Sequence, residues 1–260
     1  MFDEGTGPAL VVVPGVQGRW EWFRPGLVEL SRCCRTVSYS LCGDFGSVTP
    51  YDPALGFENY IRQLDDVFDR CGLQAAALCG ISYGGFIAVR YAALRPERVT
   101  AVVLASSPSP GWTPNPRQQR YLARPWASAP SFILSSPLRL FPEIRAAYDT
   151  WPQRIAFAAA HATRAAVHPM IPSRMAERIA VQQAIDLAPD CAAVRAPTLV
   201  IGGEEALDRI VPVSATRRYA QLIPGARYVT LERTGHLGVV TRPRRFAELV
   251  GGFVTDATHP

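Results

Sequence analysis

Ala75-Ala76-Ala77-Leu78-Cys79-Gly80-Ile81-Ser82-Tyr83-Gly84-Gly85-Phe86-Ile87-Ala88 decides the fold. The apolar run from Ala75 to Cys79 predicts a buried strand, and Phe86, Val89, Arg90 and Ala93 follow at helical spacing. Between them lies Gly80-Ile81-Ser82-Tyr83-Gly84, a G-x-S-x-G pattern. A strand that turns directly into a helix leaves no room for side chains beside the turn, hence the flanking glycines. The turn lifts the serine hydroxyl above the sheet and points a helix N-terminus at it. An ordinary strand-to-helix turn could carry the same glycines; the strand before and the small-residue helix after make Ser82 a candidate nucleophile.

Outward from this stretch the chain repeats one rhythm. Ala9-Leu10-Val11-Val12-Val13 predicts a strand buried on both faces, ending at the loop Pro14-Gly15-Val16-Gln17-Gly18. Trp20 to Cys33 has helical spacing, 35–41 predicts a second strand, and 42–47 a turn. Phe57, Tyr60, Ile61, Leu64 and Phe68 mark one face of a helix that Gly72 stops. Val99 to Leu104 is the fourth strand. Strands at 197–203 and 227–231 and helices at 213–222 and 244–254 resume the pattern late in the chain. Alternating strands and helices predict an α/β fold, with a mostly parallel sheet flanked by helices. Met1 to Pro8 reads as short and turn-like.

From Ser109 to Pro189 no strand pattern appears. Prolines alternate with helical pieces at 117–124, 144–148, 154–167 and 173–187. The chain therefore divides into a core of residues 1–108 and 190–260 and a helical insertion of residues 109–189. The insertion is rich in aromatic residues, and its Trp112, Trp126, Phe132 and Trp151 are expected, with Gln17 and Trp20 of the core, to line an apolar substrate pocket.

Composition excludes several classes. The chain has 260 residues, 48% of them hydrophobic, enough for a sizeable core. Its formal charge is +5, and all 27 basic residues are arginine, scattered singly or in pairs. No basic arm for nucleic acid is present. The six cysteines show neither C-x-x-C nor zinc spacing, which suits reduced core thiols and a cytoplasmic location. No apolar run reaches membrane-spanning length. No metal, cofactor, nucleic-acid partner or membrane partner is expected; the oligomeric state is left open.

A serine nucleophile needs a base, and the base needs a group that fixes its tautomer. Of the four histidines, His161 and His168 fall in the insertion and His259 beside the C-terminus. His236 lies just past the last predicted strand, at the sheet edge where Ser82 emerges. The acid should follow the preceding strand. Glu204, Glu205 and Asp208 all do, and Asp208 is preferred because it leads the turn Asp208-Arg209-Ile210-Val211-Pro212. The oxyanion of acyl transfer needs two backbone donors. The amides of Tyr83 and Val16 are the candidates.

These motifs resemble the α/β-hydrolase superfamily, in its capped branch of esterase-like and C–C-bond hydrolases, over nearly the whole chain. The carrying residues are 80–85, 208–212 and Gly235-His236, with Gly43-Asp44-Phe45-Gly46-Ser47 similar to a Gly-x-Gly-x-Ser loop. The resemblance implies that 109–189 is a cap and that Ser82, Asp208 and His236 cleave a small apolar ester or related acyl compound. The same triad would serve a C–C-bond hydrolase or a cofactor-free haloperoxidase, and the fold can also host a non-enzymatic small-ligand receptor. Two departures stand out. Pro14-Gly15 replaces the usual His-Gly, and the initial antiparallel hairpin is expected to be missing or cut short. Aspartate replaces the serine in the family's epoxide hydrolases and dehalogenases, so Ser82 argues against both.

Overall fold

The computed structural model describes residues 1–258. His259, set aside above, lies outside them. Seven strands form one sheet: β1 (Phe2–Glu4), β2 (Ala9–Val13), β3 (Arg35–Ser38), β4 (Ala76–Ile81), β5 (Val99–Ala105), β6 (Thr198–Gly202) and β7 (Arg227–Thr230). Their order is β1-β3-β2-β4-β5-β6-β7, and every pairing is parallel except β1 with β3. Strands buried on both faces need apolar residues along their length, and 9–13, 76–81 and, apart from Thr100, 99–105 supply them.

Along β2 the side chains alternate. Val11 and Val13 join one core cluster, and Leu10 and Val12 the other. The first cluster packs under α2 (Glu58–Arg70) and α3 (Gly84–Leu94); the second packs under α1 (Arg24–Leu30) and the last helix. Between β5 and β6 the chain forms α4 (Pro116–Ala123), α5 (Pro125–Leu134), α6 (Ser136–Ala147), α7 (Trp151–Val167), α8 (Pro172–Gln183) and α9 (Ala188–Ala193). The core then continues through α10 (Val213–Arg217), α11 (Tyr219–Leu222), α12 (Gly238–Thr241) and α13 (Pro243–Thr258).

Four local expectations need correction. The N-terminus is not merely turn-like: Phe2, Asp3 and Glu4 pair antiparallel with Ser38, Val37 and Thr36. Three residues are too short to show a period, but Phe2 is buried and Asp3 accepts both guanidinium donors of Arg35 at 3.1 and 2.9 Å. The second strand ends at Ser38, where Leu41 turns its amide to Gly18 instead. The predicted helix at 213–222 is two short helices. The helix α5 was hidden by Pro130, which sits inside it.

Candidate active site

The three candidate residues leave three different strands at the same edge of the sheet. Ser82 follows β4, Asp208 lies in the loop after β6, and His236 lies in the loop after β7. His236 Nε2 is 3.1 Å from Ser82 Oγ, and its Nδ1 is 3.2 Å from Asp208 Oδ2. Asp208 spends its other oxygen on the amides of Ile210 and Val211, at 2.8 and 2.9 Å. That fixes the carboxylate and leaves Oδ2 for the imidazole. Glu205 makes no such approach, and Glu204 accepts the Arg233 amide at 2.6 Å. Burial works against a charged His236 imidazolium, but Asp208, and then Glu143, outweigh it and raise its pKa above the ordinary 6.5.

The serine is held in a strained backbone. Ser82 has φ of 52°, a left-handed conformation unusual for a non-glycine residue. Its amide donates to the Ala105 carbonyl at 2.8 Å, and its carbonyl accepts the Ser107 hydroxyl at 2.7 Å. Both anchors stand at the end of β5. The tight turn demands glycine at 84: a Cβ there would lie 2.3 Å from the Val13 carbonyl oxygen and 2.7 Å from that of Pro14. The same approach brings the 14–16 loop against the serine, with a Cβ on Gly15 standing 3.4 Å from Ser82 Cβ.

No hydrogen bond to the amides of Val16 or Tyr83 is present among the described residues, so both donors remain for an incoming group. The Val16 carbonyl is fixed from behind. It accepts Arg178 Nη1 at 2.8 Å, and Arg178 in turn forms a fully buried ion pair with Asp44. The Tyr83 hydroxyl donates to the Arg178 carbonyl at 3.1 Å. One residue of α8 therefore touches both candidate oxyanion segments.

The helices between β5 and β6 reach the site at a second point. Glu143 of α6 is buried and accepts the Leu237 amide on both oxygens, at 3.0 and 3.1 Å, and the Thr241 hydroxyl at 2.8 Å. Burial raises its pKa despite those donors. Glu143, Ser107 and Arg178 all escaped the sequence reading. The one available signal was an acid between apolar neighbours, in Leu140-Phe141-Pro142-Glu143-Ile144, at a helix position that faces inward.

The expected pocket residues divide. Gln17 is half-buried, and its Oε1 lies 2.9 Å from where a Cβ on Gly15 would stand, buried and without a partner. Trp112 packs against the first core cluster. The Trp20 ring packs against the second core cluster, 5.7 Å from the ring of Phe2 on the edge strand β1. Phe132 packs edge-on to Tyr121 at 5.3 Å with the Arg139 guanidinium 4.5 Å over its ring. Trp126 and Trp151 are 65% and 61% exposed, so rings expected to enclose a pocket instead face solvent. His161 and His168 lie in the helical segment's seam with the core. His161 stacks on Phe157 and meets Trp22 edge-on, and His168 sits against Arg19 and Glu21. Among the described residues no group of three His, Cys, Asp or Glu side chains is arranged to hold a metal ion.

A model of the alpha/beta hydrolase family matches residues 10–249. The chain is 26% identical over 261 residues to a putative carbamate hydrolase RutD of Pseudomonas savastanoi pv. phaseolicola, covering 98% of this chain and 97% of the relative. It is 28% identical over 270 residues to a 2-hydroxymuconate semialdehyde hydrolase of Pseudomonas sp. (strain CF600), covering 99% and 90%. Among solved structures, a thermophilic esterase from Thermogutta terrifontis superposes with a TM-score of 0.79 at 21% identity, covering 98% of this chain and 92% of that one, a likeness of fold.

Proposed function

Because the chain belongs to the alpha/beta hydrolase family, we propose that it is a serine hydrolase cleaving a carboxylic ester or related acyl compound through an acyl-enzyme. One observation carries this: the continuous run Ser82 Oγ to His236 to Asp208, with contacts of 3.1 and 3.2 Å, at a serine held in a strained turn. With its proton on Nδ1 facing Asp208, His236 offers Nε2 as the base. Ser82 Oγ gives its proton to Nε2 as it attacks the acyl carbon. The developing oxyanion accepts the Val16 and Tyr83 amides. The imidazolium, favoured by Asp208 and Glu143, then protonates the leaving group. Water, deprotonated by the same nitrogen, releases the acid and restores Ser82.

In this reading residues 109–189 form a cap over the sheet edge, joined to the catalytic loops through Glu143 and Arg178. The acyl group sits beside Gln17, below the cap. Of the relatives' names, the carbamate of one is an acyl compound of this kind, whereas the semialdehyde of the other carries no ester and fits the alternative, hydrolysis of a C–C bond by the same residues. The test is a fluorophosphonate probe followed by a substrate panel. Stoichiometric labelling of the wild type, absent in Ser82→Ala, is the expected result. Turnover of p-nitrophenyl esters, aryl carbamates or 1,5-diketones then identifies the bond. Folded wild-type protein that resists the probe, or Ser82→Ala protein that keeps full turnover, would overturn the proposal, since losing such a nucleophile costs about 10⁶-fold.

A further inference from the structure

The cap helices carry apolar residues on two sides and bury only one. In α6 the inner side sends Ile144 and Ala147 into contact with the core, while Leu138 and Phe141 stand outside. In α7 Phe157 packs inward against Tyr148 and His161, while Trp151 and Ile155, one turn apart, face out. A helix with apolar residues around most of its circumference is normally covered on both sides. Leu134 is 78% exposed, Leu138 81% and Ile155 63%. Leu134 and Leu138 lie four positions apart across the junction of α5 and α6, Leu138 and Phe141 lie one turn apart on α6, and Phe141 meets Trp151 of α7 with ring centroids 6.3 Å apart, so exposed apolar side chains follow one another along the three helices. Patches of this kind mark interaction surfaces.

The net charge of the chain falls in the same stretch of sequence, where Arg117, Arg120, Arg124 and Arg145 are exposed. Residues 116–167 hold seven arginines against Glu143 and Asp149, a net +5 that equals the formal charge of the whole chain. The other 20 arginines and 20 acids cancel. Glu143 is buried, and Asp149 is paired with Arg233, so neither acid offsets the surface. Arg145, exposed, stands one helical turn beyond Phe141, Arg124, exposed, precedes Trp126 by two positions, and the Arg154 guanidinium holds the Trp151 ring at 5.2 Å while donating to the Tyr148 carbonyl at 3.0 Å. Cations therefore rim the apolar stripe.

We propose that this outer face of the cap docks on an anionic lipid surface. The apolar stripe would enter the headgroup boundary, the arginines would pair with lipid phosphates, and Trp126 and Trp151 would lie at the interface. A second copy of the chain fits less well, because it would bring two arginine-rich faces into contact. Among the described residues no helix is long and apolar enough to cross a membrane. The sequence expectation of no membrane partner rests on signals of spanning and targeting, which peripheral docking does not need.

The experiment is flotation of the full chain with vesicles of phosphatidylglycerol and phosphatidylcholine in equal parts, against vesicles of phosphatidylcholine alone. The expected result is about ten-fold or more stronger binding to the anionic vesicles, weakened by salt, with a blue shift of tryptophan emission. Leu138→Glu/Ile155→Glu should cut that binding at least about ten-fold while melting temperature and probe labelling stay unchanged. Arg124→Ala/Arg145→Ala, which removes two exposed cations and keeps the stripe, should lower binding to the anionic vesicles alone. Three results would overturn the proposal. They are no binding to anionic vesicles at low salt, equal binding by both variants, or a dimer by light scattering that the glutamate variant dissolves, which would make this face a self-interface.

Discussion

The Glu143 carboxylate receives the amide of Leu237, the residue that follows His236, on both oxygens. It thereby fixes the backbone that carries the imidazole and places a negative charge near it. In the proposed mechanism the neutral imidazole is the base, and since its pKa is raised above the ordinary 6.5, activity should rise as pH climbs through that raised pKa. Glu143→Gln keeps an acceptor for Leu237 but removes the charge. It should move the acid limb of the kcat/KM profile to lower pH. Glu143→Ala should in addition lose about ten-fold in kcat, because the loop loses its anchor. A pH-rate profile that does not move in Glu143→Gln would assign Glu143 a purely structural part.

Two glycines beside the serine should respond in opposite ways. A Cβ at position 84 meets two backbone oxygens that cannot move aside. Gly84→Ala is expected to cost more than about 2 kcal/mol of stability and to abolish probe labelling. At position 15 the nearest atom is the end of the Gln17 side chain, 2.9 Å away. Gly15→Ala should stay within about 1 kcal/mol of wild type, while the bulkier Gly15→Val should cost about 10²-fold in turnover by displacing the Val16 amide. Urea denaturation and steady-state rates separate the two.

The Asp44–Arg178 pair is buried, and its loss should be felt twice. Arg178→Ala leaves a carboxylate buried and unpaired, expected to cost about 3–5 kcal/mol. Asp44→Leu/Arg178→Met replaces the pair by apolar side chains and should regain most of that stability. The Val16 carbonyl would still lack the donor it has at 2.8 Å. Turnover of the double variant should therefore remain at least about ten-fold low although its melting temperature recovers.

Burial, with the nearby Arg164 charge adding to it, pushes the His161 imidazole down to about 4. The unfolded chain takes up this proton near pH 6.5, whereas the folded chain resists until about 4. Stability is therefore full above 6.5 and falls as pH drops through that window, by up to about 3 kcal/mol. His161→Phe, which keeps the stacking on Phe157, should remove this part of the acid sensitivity. Urea midpoints at pH 7 and pH 4.5 for both proteins check it.

What the sequence made legible follows from locality. The apolar runs 9–13, 76–81 and 99–105 announce their strands, and Gly80 and Gly84 announce the turn at Ser82. Asp208 and His236 are legible because each follows a strand, and strand ends collect at one edge. Glu143 and Leu237 lie 94 positions apart, and Asp44 and Arg178 lie 134 apart, with no pattern around either to pair them. The outward placement of Trp126 and Trp151 is not legible for a related reason. Aromatic content says that a helix has an apolar side, but only packing says which side is covered. Phe2–Glu4 is a strand because β3 offers it an edge, a property of the partner and not of the three residues.

β5 and β6 lie side by side, yet residues 106–197 stand between them in the chain. Closing a connection of about ninety residues costs about 2 kcal/mol more in chain entropy than closing one of ten. The first five strands, joined by shorter connections, can therefore assemble before the sheet is complete. Ser82 belongs to that early part, whereas Asp208 and His236 arrive only with β6 and β7. During refolding, recovery of activity should lag behind the secondary structure of the first hundred residues, because in the proposed mechanism Ser82 must wait for His236.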